Sequence, residues 1–229
     1  MKTSTTLLCA VVSGVLLSLA YPPLGLGFMA YGALVPMLFV ALSGGPWRVF
    51  KWSFLSGSVF LGISLFWVAL HPDLVWPVLI LVVIVLALFY TLPFVLSSLL
   101  SRLSGWAALL VFPFAVAGFE WIRSFDQFAF PWMIIGNSQT CYPRLIQFAD
   151  ITSAFGISWW IAAVNVTIFF DTFVSRLFDI LLKISGTASA TLFVACPDGN
   201  EGEFELVRKF SSPAYVIIGR GLLKTCFSI

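Results

Sequence analysis

The chain has 229 residues, 60% of them hydrophobic and only 10% charged, with a net charge of +2 and a mean hydropathy of +1.04. A soluble globular domain carries about a quarter charged residues, so this composition points to an integral membrane protein. So small a net charge, with no basic run, argues against nucleic acid as a partner; four scattered cysteines (Cys9, Cys141, Cys196, Cys226) and a lone His71 argue against a disulfide framework, a metal site or a bound cofactor.

Residues 5–20 are apolar and follow Lys2. A signal peptide has the same design, a basic start and a short apolar core closed by a small residue. The segment runs directly into Tyr21-Pro22-Pro23 and a second apolar span, which favours a retained helical hairpin broken by the prolines. That second span covers 24–43 and stops at Gly44-Gly45-Pro46. Residues 52–70 form the third, with Ser56, Gly57, Ser58, Gly62 and Ser64 small enough to let neighbouring helices approach. His71-Pro72-Asp73 is the next turn, and 74–100 is long enough to cross with tilt. Pro93 is expected to kink that helix and Tyr90 to anchor one of its ends. The fifth span is 105–122, with Pro113 inside it. A connection over 123–150 leads to the sixth span, 151–170.

Residues 173–196 form a weaker seventh candidate, interrupted by Arg176, Asp179 and Lys183. Charges at the membrane centre cost about 3 kcal/mol each on an insertion scale. Residues 197–229 are a polar tail with strand-like pieces such as Ala214 to Gly219. The sequence therefore predicts an all-α integral membrane protein: a polytopic bundle of six to seven transmembrane helices over 1–172 and 173–196, followed by a short tail. Basic residues set orientation. With the N-terminus in the cytoplasm, Lys2, Arg48, Lys51, Arg102 and Arg176 all fall inside, and only Arg123 and Arg144 fall outside.

This orientation puts Glu120 to Gln139, the most chemically varied stretch, at the outer face. Glu120 and Arg123 stand three apart, a spacing at which they pair on one helix face. That pair reads either as an interfacial salt bridge or as a polar lining for a lipid headgroup or partner. Phe130-Pro131-Trp132 reads either as part of an aromatic belt or as a short re-entrant element. Asn137, Ser138 and Gln139 would then satisfy freed backbone groups or bind a lipid ester or phosphate. Nothing assembles into a catalytic constellation: Cys141 has no neighbouring histidine, and no nucleophile elbow, zinc helix or phosphate loop occurs. Intramembrane ionisable residues are nearly absent, which argues against a transporter.

Several of these pieces, in this order, resemble the bacterial apolipoprotein N-acyltransferases. They are Ala20-Tyr21-Pro22-Pro23, then Gly62 through Trp67-Val68, then Glu120-Trp121-Ile122-Arg123 with Phe130-Pro131-Trp132 and Gly136-Asn137-Ser138-Gln139, and finally Gln147 to Gly156. The resemblance covers about residues 10–172. It implies a protein of the bacterial inner membrane whose substrates are phospholipid and lipoprotein. An acyl chain passes from the phospholipid to the α-amino group of a diacylated N-terminal cysteine. It implies a thioester route through a Cys, with a Glu as base and a Lys at the oxyanion, in a nitrilase-like domain that follows the membrane helices. Nothing after residue 172 resembles that domain, so no catalytic residue carries over. Glu120, Arg123, Phe130, Pro131, Trp132, Asn137 and Gln139 are the candidate lipid or lipoprotein docking residues. The expectation is a truncated or split protein, inactive alone, to which a separately encoded nitrilase-like domain is a candidate partner. The competing expectation is a non-enzymatic membrane scaffold that binds lipid or a partner protein.

Overall fold

The structure is a computed structural model that describes residues 2–70, 76–125 and 132–188. Every regular element among them is helical, and residues 1–184 form one compact unit. The His71-Pro72-Asp73 turn, Phe130, Pro131 and the strand-like pieces of the tail lie outside the described residues. So does the last part of the seventh candidate, from residue 189 onward.

Helix α1 spans Thr3–Leu19. A 3-10 turn at Gly27–Met29 leads into the short α2, Ala30–Ala33, and then α3, Val35–Ser43. The expected second span is thus interrupted. The cause is Pro36 at the start of α3, which has no N–H for the carbonyl of Gly32 and whose ring crowds it. Helix α4 runs Pro46–Ser64 and passes into a 3-10 turn at Phe66–Leu70. It therefore begins six residues before the expected third span, because Pro46 is a favoured first residue of a helix. Arg48 and Lys51 lie in its first turns rather than in a loop.

Helix α5 is Trp76–Leu100, 25 residues and so about 37 Å long, and α6 is Gly105–Ile122. Both stay helical through Pro93 and Pro113. Helix α7 runs Ala149–Ala188, with one non-helical residue, Ser153 at φ 61° and ψ −177°. The sixth span and the described part of the seventh candidate are therefore a single helix, with no turn between 170 and 173. Charged side chains govern how deep a helix sits in a membrane. They do not interrupt its backbone hydrogen bonds, so Arg176 did not end this one.

Helices α5, α6 and the Ala149–Arg176 part of α7 are each long and apolar enough to cross a membrane. Their outward faces carry exposed Leu81, Leu110, Phe114 and Ile168, which water would penalise and hydrocarbon accepts. Within the bundle α4 packs on α1 and on α5, and α5 packs on α6. Gly57 permits the α4–α5 approach: a Cβ there would lie 2.8 Å from the Tyr90 ring and 3.3 Å from the Ala87 Cα. Ser56 and Ser64 are buried beside it, whereas Gly62 faces outward with no neighbour. Tyr90 therefore anchors the centre of the bundle and not a helix end. Its ring belongs to an aromatic chain that runs from Tyr21 to Phe60, Tyr90, Phe94 and Phe112, with successive centroids 5.2–6.1 Å apart.

Two ends of the bundle can be told apart. One gathers Thr6, the Gly44-Gly45 turn, Arg48 and Arg102. Arg48 donates to Thr6 Oγ1 at 2.6 Å, and Ser98 donates to the Gly44 carbonyl at 2.8 Å. The other end gathers Tyr21, Gly27, Trp67 and the residues after α6, and it holds the candidate site.

Candidate functional site

The connection after α6 turns back into the protein. Residues 132–139 run through the end of the bundle and finish in a 3-10 turn at Ile135–Gln139, four of whose residues are buried. Irregular backbone at such depth leaves N–H and C=O groups that helix formation would otherwise satisfy, and each must find a partner.

Glu120 and Arg123 supply several of those partners. They sit at the end of α6 and are 8% and 7% exposed. Glu120 Oε1 accepts the Ile135 N–H at 2.8 Å. The Arg123 guanidinium donates to two successive carbonyls, Trp132 at 3.1 Å and Met133 at 2.9 Å. A planar fork suits two neighbouring acceptors in a way that a point charge does not. Met133 lies at φ 57°, a left-handed conformation that costs about 1–2 kcal/mol for a side chain of its kind, and the fork holds its carbonyl in place.

The opposite side of the segment is fixed from two other elements. Tyr21, in the Pro22-Pro23 corner, donates its hydroxyl to the Ile134 carbonyl at 2.7 Å. Ser158 on α7 accepts the Gly136 N–H at 2.8 Å. Ser138 donates to the Ile135 carbonyl at 2.7 Å, and Gln139, fully buried, donates to the Gly27 carbonyl at 2.8 Å. Gly136 is required by this packing, since a Cβ would drive into the Ala154 carbonyl of α7. Every residue from Trp132 to Gly136 thus has a backbone group held by a side chain.

At the surface end of the segment, Trp132 stacks on Trp67 with centroids 6.1 Å apart and an interplanar angle of 21°. Both rings are about half exposed, at 46% and 50%. Asn137 is half-buried. Of the sequence-predicted residues, the fold thus brings together Glu120, Arg123, Trp132, Asn137 and Gln139. It adds Tyr21 and Trp67, which the sequence motifs include without placing them at the site, and Ser158, which they do not include. A cavity of about 30 Å³, room for about one water, lies against Glu120, Arg123, Tyr90 and Met133.

Among the described residues no group of three or more His, Cys, Asp or Glu could hold a metal ion. Cys9 is partly buried in α1, and Cys141 is an exposed free thiol. Neither stands in a hydrogen-bonded nucleophile–base pair among these residues. The arrangement can fix a loop and present aromatic rings.

Residues 13–167 match the family model of the apolipoprotein N-acyltransferase N-terminal domain. The chain is 35% identical over 169 residues to the apolipoprotein N-acyltransferase of Geobacter metallireducens, covering 71% of this chain and 32% of that one. It is 34% identical over 166 residues to the protein of the same name from Chlorobaculum tepidum, covering 69% and 30%. The Caulobacter vibrioides protein is 29% identical over 161 residues. The matched region is about a third of the length of these curated relatives. It includes the buried return segment and every side chain named above that holds it. This chain belongs to the apolipoprotein N-acyltransferase family and carries the family's N-terminal membrane domain.

Proposed function

We propose that this chain serves acyl transfer from phospholipid to lipoprotein as the membrane domain of an apolipoprotein N-acyltransferase. The observation that carries the reading is the family match over residues 13–167, which contains the whole return segment and its clamps. In this reading residues 1–172 cross the bacterial inner membrane six times with the N-terminus in the cytoplasm. The Trp67–Trp132 pair and Asn137 form a docking surface for lipid or lipoprotein at the outer face. Glu120, Arg123 and Gln139 act one step back: they are buried against loop backbone and hold that surface in place. The bond-making Cys, Glu and Lys belong to a nitrilase-like domain that works with these helices, and residues 1–229 do not acylate by themselves. Cys141, an exposed thiol, has no positioned base among the described residues.

Two expressions test this, both in cells depleted of their own N-acyltransferase. Mass spectrometry of a lipoprotein's N-terminal peptide counts its acyl chains. Residues 1–229 alone should leave the lipoprotein diacylated. A chimera carrying residues 1–172 in place of the matching part of the Geobacter metallireducens protein should restore the third chain. Triacylation by 1–229 alone would mean an active site has been missed. A chimera that inserts stably yet stays inert beside a working parent would sink the assignment of the membrane domain.

A further inference from the structure

We infer that residues 140–152 form a strap that opens from the bundle and closes onto it about a strained joint at Ser153. None of the residues from Thr140 to Ser153 is buried, although the stretch runs between the buried Gln139 and the buried Ile157. Its backbone is held by single turns, such as the Ala149 N–H to the Ile146 carbonyl at 2.8 Å and the Ile151 N–H to the Phe148 carbonyl at 3.1 Å. Thr152 donates its hydroxyl to the Phe148 carbonyl at 3.1 Å, again within the stretch. This contrasts with residues 132–136, whose backbone is clamped by side chains from three other elements. Isolated turns do not outweigh the entropy of forming them, so these are lost once the strap leaves the bundle. Little further apolar surface is uncovered by that step, since Leu145 is already 60% exposed and Ile151 90%.

The closed position is set by two close approaches and opposed by one strained residue. At one end the Tyr142 ring lies against Gly27, where a Cβ would come within 2.8 Å of it. At the other end Thr152 lies directly on Gly156, and a Cβ there would run into the Thr152 side chain. The chain reaches that contact only by reversing at Ser153, with φ 61° and ψ −177°. This region of backbone space is essentially reserved for glycine, and another residue stays in it only while its surroundings hold it there. Local compensation at Ser153 is weak: its hydroxyl accepts the Phe155 N–H at 3.4 Å, in an exposed setting. Opening releases Thr152 from Gly156 and lets Ser153 return to negative φ, so the strain favours the open state. Opening also removes Leu145, Phe148 and Thr152 from the groove of about 660 Å³ that they line together with Phe114, Trp159 and Trp160. The strap is thus a movable wall of that groove. The inference rests on the geometry around residues 140–156 and not on acyl transfer, so the two can fail separately.

Hydrogen exchange read by mass spectrometry can decide it, on the purified full chain in detergent micelles. Amides that exchange through a local opening do so in proportion to the fraction open. Peptides covering 142–152 report on the strap, and peptides from 160–170 of α7 serve as the reference. Glycine enters the Ser153 conformation freely, so Ser153→Gly stabilises the closed state and should slow strap exchange at least about fivefold. A joint without strain gives the opposite sign, because glycine then only adds freedom to the chain. Gly156→Ala pushes Thr152 off its seat and should speed strap exchange at least about fivefold. Gel filtration confirms that each variant is folded. Should Gly156→Ala not fold, Ser153→Gly at its exposed position and the unsubstituted chain still decide the matter. In either folded variant, a smaller change or one in the opposite direction overturns the inference.

Discussion

Asn165 shows how one polar side chain serves a membrane bundle. Its carboxamide oxygen accepts the Leu34 N–H at 2.9 Å, and its nitrogen donates to the carbonyls of Ala30 and Ile161, each at 2.8 Å. Leu34 N–H and Ala30 C=O are the two groups that an unbroken helix would join to each other. Pro36 opens the helix there, and the amide from α7 fills the gap. Ser13 completes the repair by donating to the Ala33 carbonyl at 2.6 Å. Hydrogen bonds between helices in membranes average about 0.6 kcal/mol, so the two that Asn165 makes to Leu34 and Ala30 amount to about 1 kcal/mol. Asn165→Leu keeps the branched shape and removes all three bonds made by the amide. Its melting temperature in detergent should fall by several degrees relative to the unsubstituted chain. An unchanged melting point would mean that the break is satisfied some other way.

Among the elements, α7 departs most from expectation. Its apolar part crosses past α3 and α6, where Phe169 tilts against Phe39 at 4.6 Å and Trp106 meets Phe170 at 5.1 Å. Arg176 then lies 5.5 Å from the Phe39 ring centroid, a cation over an aromatic face at the helix's polar boundary. The helix carries on with no interruption through the residues that a charge count would assign to a turn. Proline discriminates between the two arrangements. Within a helix Val174→Pro removes a hydrogen bond and crowds the carbonyl of Phe170, at a cost of about 3 kcal/mol, whereas a turn would accept it. A marked drop in melting temperature is expected, and a variant as stable as the parent would place a turn near 174.

At the scale of the whole molecule, the charges divide between the two ends of the bundle. Lys2, Arg48, Lys51 and Arg102 lie at the end where α4 and α6 begin, with Lys51 held 5.2 Å from the Trp47 ring centroid. Glu120, Arg123, Arg144 and Asp150 lie at the opposite end, where the signs are mixed. The basic end should therefore face the cytoplasm. Cysteine labelling with an impermeant reagent on spheroplasts checks this, using a chain in which the four native cysteines are serine. Thr140→Cys, on an exposed residue, should label in intact cells, and Lys51→Cys only after the membrane is opened. The reverse pattern would invert the proposed topology and move the Trp67–Trp132 surface to the inner side.

The amino-acid sequence by itself determined that the chain belongs in a membrane, where most apolar segments begin and end, and the family. Each of these follows from local composition or from short ordered motifs. Hydrocarbon admits a helix according to its own residues, whatever it packs against. The sequence also drew attention to Glu120, Arg123 and Gln139, because charges and amides are conspicuous in an apolar chain. What those groups do was decided only in three dimensions. A pairing of Glu120 with Arg123 looks sufficient from a spacing of three, yet both side chains reach the backbone of a segment some ten to fifteen residues on. Tyr21 meets Ile134, Gly27 meets Gln139, and Leu34 meets Asn165, contacts that span more than a hundred residues. Backbone groups freed by Pro36 and by the return segment need partners, but any serine, tyrosine or amide in the chain could supply one. Only the packing of α1, α6 and α7 around those breaks selects which ones do.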